Sequence, residues 1–258
     1  MSTTGRVVVI TGGASGMGRA IAQGFAADGE RIVIADINLE AATAVAHGLI
    51  ADGAVAEARQ LDVTDAAACS AFIEQVHADF GSVDVLVNSA GIGQVKLLAD
   101  VTEGDWDRML GINTKGVFFL SQAAIGIMKQ QGSGRIINIA SIAGRRGEAL
   151  VAPYCASKAA VISLTQAFAE EGAPDQVTVN AIAPGIVDTP FWVASDREFS
   201  EIFDTEPGQA LAQNVARVPL GRVEQPADVV PMALFLASEG ASYITGQSIN
   251  VDGGINFA

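Results

Sequence analysis

Val7-Val8-Val9-Ile10-Thr11-Gly12-Gly13-Ala14-Ser15-Gly16-Met17-Gly18-Arg19-Ala20-Ile21 runs from a β-branched segment through a glycine-rich turn into a helix-length segment. Val7 to Ile10 is continuously apolar, the pattern of a strand buried on both faces. Glycines let the chain turn tightly and let a ligand approach the backbone, while the start of the next helix offers free N–H groups and a partial positive charge. The turn therefore reads as a phosphate cradle built from Gly12, Ser15, Gly16, Met17 and Gly18. Its spacing, Gly12-x3-Gly16-x-Gly18, differs from the usual Gly-x-Gly-x-x-Gly of dinucleotide-binding turns. Context adds weight, because the turn follows a strand, opens a helix and precedes Asp36 at the end of the second strand.

Outward from this segment, short β-branched runs alternate with helical patterns. Val7 to Ile10, Ile32 to Ala35, Val83 to Val87 and Arg135 to Ala140 read as buried strands, and Val55 to Leu61, Val177 to Ala181 and Ser248 to Val251 as weaker ones. Helices are expected over Gly16 to Ala27, Glu40 to Ile50, Asp65 to Asp79, Trp106 to Lys129, Tyr154 to Glu171 and Ala227 to Ala237, with Pro226 at a first-turn position. The pattern predicts an α/β chain of Rossmann type, a doubly wound parallel sheet of seven strands with helices on both faces. No Pro-, Gly- or Ser-rich linker divides it, so residues 1–258 read as a single domain. Pro190 to Arg217 breaks the rhythm and mixes Phe191, Trp192, Phe199 and Phe203 with five acids. It reads as a helical lid over the substrate, or as an amphipathic pair packed on the body; the two are compatible.

The bulk numbers exclude several classes. Half of the 258 residues are hydrophobic, enough for a sizeable core, and 15 basic against 29 acidic residues give a net charge of -14. That charge repels phosphate backbones and anionic membrane surfaces, so neither nucleic acid nor a membrane is an expected partner. No signal peptide is visible near Met1, and no apolar run reaches the ~18 residues of a membrane span, so a cytoplasmic location is expected. Cys69 and Cys155 should be free thiols, and with only His47 and His77 a built-in metal site is not expected.

Asp36, followed by Ile37, suits the ribose hydroxyls of an adenosine and would repel an added phosphate, which favours NAD over NADP. Alternatively, Asp36 caps the next helix, a task Asn38 could also perform. Asp62, followed by Val63, could accept from the adenine amino group, and Asn88-Ser89-Ala90-Gly91 is a small-residue turn that could pass the ribose. Tyr154 and Lys158 stand four residues apart, with Ser141 upstream. On a helix they share a face, and a fixed ammonium would lower a phenol pKa from its ordinary value near ~10. Taken alone, this spacing also fits a solvated helix face.

Thr11-Gly12-x3-Gly16-x-Gly18, Asp62, Asn88-Ser89-Ala90-Gly91, Asn113, Ser141, Tyr154-x3-Lys158 and Pro184-Gly185 together resemble, over essentially the whole chain, the short-chain dehydrogenase/reductase family. Ser89 departs from it, standing where the family commonly has a second asparagine. Ala143 to Val151, Tyr154-Cys155-Ala156 and Pro184 to Asp188 are similar to bacterial sorbitol and related polyol dehydrogenases. The resemblance implies NAD-dependent oxidation of a secondary alcohol. Tyr154 would serve as base, Lys158 would lower its pKa and hold the nicotinamide ribose, and Ser141 would hold the reacting oxygen. Asn113 would hold a water linking Lys158 to solvent. Pro184, Gly185, Val187 and Thr189 would pass beside the nicotinamide. For the substrate, Glu148 could bind hydroxyls and Trp192 could offer an apolar wall, or Glu148 is a loop acid paired with Arg145 or Arg146. Family members are usually homotetramers, built through the helices containing Asn113 and Tyr154.

Overall fold

Valine and isoleucine set the middle of the molecule. The computed structural model describes residues 5–256, in which the order is β1 (Val7–Thr11), α1 (Gly16–Ala27), β2 (Arg31–Asp36), α2 (Leu39–Ala51), β3 (Val55–Gln60), α3 (Ala66–Phe80), β4 (Val85–Asn88), α4 (Glu103–Leu110), α5 (Gly116–Gln131), β5 (Gly134–Ile139), α6 (Ala152–Gly172), β6 (Val177–Pro184), α7 (Pro190–Phe203), α8 (Gln209–Val215), α9 (Pro226–Ala237) and β7 (Ser248–Val251). All seven strands pair in parallel in the order β3-β2-β1-β4-β5-β6-β7. This is the doubly wound sheet that the strand pattern predicts.

Alternate strand residues feed two cores. Val7, Val9, Val33, Leu86 and Ile136 face one side with Ile73 of α3 and Leu120 and Met128 of α5. Val8, Ile10, Ile32, Ile34, Val85 and Val87 face the other, with Ile21 and Phe25 of α1 and Leu236 of α9. Each such fully buried side chain contributes about 1.5–3 kcal/mol. Local chemistry sets the helix starts. The Asn38 side chain accepts from Ala41 N–H at 3.0 Å, Asp65 accepts from Ala67 and Ala68, and Thr102 and Asp105 form a capping box. Among the described residues no helix is long and apolar enough to cross a membrane.

The segment expected as one helix from Trp106 to Lys129 is α4 and α5 joined by a π-helical turn, Gly111–Lys115. Asn113 sits fully buried in that turn. Its Nδ2 donates to Ile92 O at 2.9 Å and Ser157 Oγ at 3.0 Å, and its Oδ1 accepts from Ile92 N–H at 2.8 Å. The wider turn is the backbone's accommodation of that inward side chain.

Pro190–Arg217 contains two helices, α7 and α8, joined through Asp196, whose carboxylate accepts from Gly208 N–H and, at 2.9 Å, from Leu211 N–H. A polar thread also crosses the core beneath β4 and β5. Asn88 Nδ2 donates to Ser121 Oγ at 3.1 Å and to Asn138 Oδ1 at 2.9 Å, and Asn138 Nδ2 donates to Thr165 Oγ1 at 2.9 Å. Because Asn138 is fully buried, Asn138→Ala leaves a cavity and takes one hydrogen bond each from Asn88 and Thr165, and should cost about 2–4 kcal/mol, read as a lower urea midpoint at unchanged m-value.

Candidate active site

The connection leaving β1 passes to the core containing Ile21 and Phe25, and the connection leaving β4 to the core containing Leu120. Thr11 and Asn88 are register partners at the ends of these strands, where the strand order reverses. A cleft of about 540 Å³ opens there. Such a crevice at the carboxyl ends of parallel strands is where ligands bind in open α/β sheets.

The glycine turn forms one wall. Gly12 and Gly16 have φ of 64° and 52°, and a Cβ on Gly18 would stand 2.3 Å from Gly12 O. A Cβ on Gly12 would stand 2.7 Å from Ala90 Cα, so the turns after β1 and β4 are in backbone contact. Thr11 Oγ1 ties them by accepting from Ser89 and Ala90 N–H, both at 3.2 Å. Ser15 starts α1 without a side-chain cap, so its hydroxyl and the first-turn N–H groups are available to an anion. Gly12, Ser15, Gly16, Met17 and Gly18 all line the cleft.

Asp36 and Ile37 line its far end, with Asp62 and Val63 beside them. Asp36 Oδ1 accepts from Asn38 N–H at 3.0 Å and Oδ2 from Ala14 N–H at 3.1 Å. Asn38 is the helix cap, which disposes of the capping alternative for Asp36. Asp62 accepts from Thr64 N–H and Oγ1 at 2.9 and 2.7 Å, and these bonds hold its carboxyl below the usual range. Ala90 and Gly91 line the cleft, whereas Asn88 is 2 % exposed and turns into the polar thread below. The Asn88 side chain thus belongs to the sheet's packing, while the contact expected of this turn is one of its backbone. Across the cleft, Pro184, Gly185, Val187 and Thr189 form a strap after β6, and Thr189 Cγ2 lies 3.4 Å from where a Gly16 Cβ would stand. An uncapped helix start, glycine approach and an acid at the far end fit a dinucleotide.

Ser141, Tyr154 and Lys158 converge on the same cleft. Ser141 ends the approach from β5, and its Oγ accepts from Ala143 N–H at 3.1 Å. Lys158, 5 % exposed, donates from Nζ to Ile139 O at 2.7 Å, and its Nζ is 5.8 Å from the Tyr154 ring centroid. Burial pushes the ammonium down to about 8. Enclosure of the Tyr154 phenol pushes it up to about 12, with Ser141 opposing the rise. The lowering of Tyr154 expected from Lys158 is thus not what this geometry gives. The phenolate would lose hydration on burial, and the ammonium is held against a carbonyl instead.

Asn113 lies behind the cleft. A Cβ on Gly91 would stand 3.4 Å from Asn113 Oδ1 and 3.5 Å from Lys158 Nζ, so one glycine separates the two side chains. The Asn113 amide is committed to Ile92 and Ser157.

Trp192 lines the cleft, but Glu148 does not; its Oε1 accepts from Arg146 Nη2 at 3.2 Å. Arg145 is engaged elsewhere, by Ser248 O and Asn250 Oδ1. The paired-loop alternative for Glu148 is the arrangement observed. Sequence reasoning did not single out Phe191 and Gly93. The Phe191 ring is 5.4 Å from that of Tyr154, and a Cβ on Gly93 would stand 2.3 Å from Phe191 Cε2 and Cζ. The glycine and the lid aromatic were each visible in the sequence, but their pairing is tertiary. Farther along α7, Glu198 Oε2 accepts from Val95 N–H at 2.7 Å and ties α7 to the loop carrying Gly93. Among the described residues no His, Cys, Asp and Glu cluster is arranged to hold a metal ion, and Cys69 and Cys155 are buried and unpaired.

Comparison with known proteins agrees with this geometry. A family model described as Enoyl-(Acyl carrier protein) reductase matches residues 12–256. Galactitol 2-dehydrogenase of Agrobacterium fabrum and sorbitol dehydrogenase of Cereibacter sphaeroides are each 44% identical over 255 residues, covering 98% of both chains. Among further relatives, a 3-oxoacyl-[acyl-carrier-protein] reductase of Thermotoga maritima is 39% identical over 258 residues, covering 99% of each. A solved structure described as a putative NAD(P)-dependent gluconate 5-dehydrogenase of Beutenbergia cavernae, with bound NADP, superposes with a TM-score of 0.89 at 39% identity, covering 97% of this chain and 96% of that one. With its glycine turn, its serine, tyrosine and lysine in one cleft, and its full-length relatives, the chain belongs to the short-chain dehydrogenase/reductase family of oxidoreductases.

Proposed function

We propose that this chain catalyses the reversible NAD-dependent oxidation of a secondary alcohol, a polyol such as sorbitol or another hexitol, to the ketose. The observation that carries the reading is the convergence of Ser141, Tyr154 and Lys158 on one end of a cleft whose other end is closed by Asp36. Gly185, Val187 and Thr189 of the strap would hold a nicotinamide, which would supply hydride acceptance from the carbinol carbon. Ser141 holds the alcohol oxygen at Tyr154, and Tyr154, in its phenolate form, takes the hydroxyl proton. Burial has brought the Lys158 ammonium down to about 8, so near and above that pH its neutral amine can take the proton that Tyr154 passes on. Asn113 holds Ile92 and, through it, the Gly91 backbone beside Lys158.

NAD is the preferred cofactor because the Asp36 carboxylate occupies the place where a ribose phosphate would bring more negative charge. The polyol is supported by the galactitol and sorbitol relatives. A second reading, reduction of small ketones and diketones or oxidation of small diols, draws on one observation. With Glu148 turned away, the lining near Tyr154 is largely apolar, from Ile92, Phe191 and Ala194. Reduction of a substrate on an acidic carrier protein is disfavoured by the net charge of -14. A non-catalytic NAD-binding role would leave the serine, tyrosine and lysine without work. The same proposal takes residues 1–258 as one domain with Pro190–Arg217 as its lid, working in the cytoplasm as a homotetramer.

Following NADH formation against a panel of polyols and diols, with NADP in parallel, tests the reading; no turnover of any alcohol with either cofactor sinks it. In the same assay Tyr154→Phe should lower kcat by roughly 10²–10⁴-fold while NADH still binds within a few-fold, because only the proton carrier is removed. Asp36→Ala should narrow the preference for NAD over NADP by roughly tenfold, about 1.4 kcal/mol. Glu198→Ala should free the lid. Amide exchange over residues 190–217 should speed up by about tenfold, the worth of one charge-assisted hydrogen bond, with β5 unaffected.

A further inference from the structure

The strap after β6 is anchored by a residue outside the catalytic set. Glu224 forms a one-residue parallel bridge with Val187; its N–H donates to Ile186 O at 2.9 Å and its O accepts from Asp188 N–H at 2.7 Å. The side chain adds a third tie, with Oε2 accepting from Gly185 N–H at 2.8 Å. Gly185 is tightly seated, since a Cβ there would stand 3.0 Å from Asp252 Cα. Gly185 and Val187 line the main cleft, so Glu224 supports its wall from behind.

This carboxyl is poorly provided for. Glu224 is 8 % exposed, and its Oε1 has no hydrogen-bond partner among the described residues. The charged groups around it offer no free cation. Arg222, on the approach to Glu224, is held by Asp228 of α9 in two bonds of 2.6 and 2.8 Å. Asp252, after β7, accepts from Gly254 and Asn256 N–H and from Asn250 Nδ2. Asp188, on the strap itself, accepts from Gln225 Nε2 at 3.4 Å. Two carboxylates, Asp228 and Asp252, thus bear on the Glu224 side chain against one guanidinium already paired. A second cavity, about 210 Å³, lies against Glu224, Asp228, Asp252 and Ile186.

We propose that Glu224 is a positioning residue whose ionisation loosens the Pro184–Thr189 strap, and with it the nicotinamide end of the cleft. Only the word nicotinamide rests on the functional reading above; the strap's behaviour does not. Burial, with Asp228 and Asp252 adding to it, pushes Glu224 up to about 7 from its ordinary 4.5. The sign follows from linkage. A raised acid is bound in its protonated form, so the seated strap is favoured below about 7. Above that, ionisation favours any state in which the carboxylate meets water, by up to tenfold per pH unit. The cavity beside it is where water can enter.

Glu224→Gln keeps a carbonyl acceptor for Gly185 N–H and cannot ionise. The measurement is amide exchange of the peptide spanning the strap in the whole protein without added cofactor, from pH 6 to 9, corrected for intrinsic exchange and compared with β5. Strap opening should rise in the wild type by up to about tenfold per unit above pH 7 and stay flat in Glu224→Gln, with β5 unchanged in both. Glu224→Ala, which lacks the tie at every pH, should show an open strap with no pH slope, and it serves if the glutamine variant fails to fold. NADH titrated by fluorescence should bind more weakly to the wild type from pH 7 to 9 and with constant affinity to Glu224→Gln. Equal pH slopes of strap exchange in wild type and variants overturn the proposal. If the wild type bound no NADH at any pH, the functional reading would fall, and the exchange slopes alone would decide the role of Glu224.

Discussion

The side-by-side placement of β1 and β4, with Thr11 opposite Asn88 and the two connections leaving to opposite faces, is the constraint on which everything else depends. A parallel sheet must bury both faces, and each crossover helix can cover only one. Where the covering changes side, no connection crosses the strand ends, and the crevice there is unavoidable. Both turns bordering it must then be thin. Gly12 rests on the Ala90 backbone, and Gly18 on Gly12 O, with no room for a methyl group at either contact. The cleft is therefore a product of topology first and of side-chain chemistry second.

The same geometry explains what could be read in advance. Strands of continuous valine and isoleucine, a glycine turn and helix-start residues such as Asn38 act locally, so their signals lie in adjacent residues. The glycine-turn, strap, Asp36 and Asp62 positions follow because strand ends in a parallel sheet all point the same way. Side-chain direction at a strand end is harder. Asn88 and Asn138 answer each other across the sheet rather than the ligand, which depends on partners fifty residues apart. Glu148 turned to Arg146 through a loop whose conformation no periodicity constrains. The π turn at Asn113 was hidden because α4 and α5 keep helical composition on either side; its cause is a hydrogen bond to Ile92, twenty-one residues away.

Burial gives three groups related electrostatic problems. Lys158 is pushed down to about 8, Tyr154 up to about 12 and Glu224 up to about 7, each because the charged form gives up water that the protein does not replace in full. For Lys158 and Tyr154 the shifts run toward the neutral form of each. The spacing of tyrosine and lysine on α6 therefore matters less as a charge pair than as two enclosed groups opening on one cleft. Glu224 has no such neighbour, and its Oε1 is without a hydrogen-bond partner among the described residues.

Substrate choice follows from how differently the two sides of the cleft are held. The body side is backed by cores on both faces of the sheet, so its cofactor-facing residues have little freedom. The lid is tied by fewer groups: the Phe191 ring against Gly93, Glu198 on Val95 N–H and Asp196 within the lid. Phe191 sits against Tyr154, so an alcohol carbon presented to that tyrosine must share its surroundings with an aromatic ring. A polyol can satisfy this by laying C–H groups on Phe191 and Trp192 and keeping its hydroxyls toward Ser141, whereas a small diol needs only the space itself. On the proposed reading the proton-transfer groups are held by the sheet, and the choice of alcohol falls to the α7–α8 segment, whose few ties lie apart from those groups.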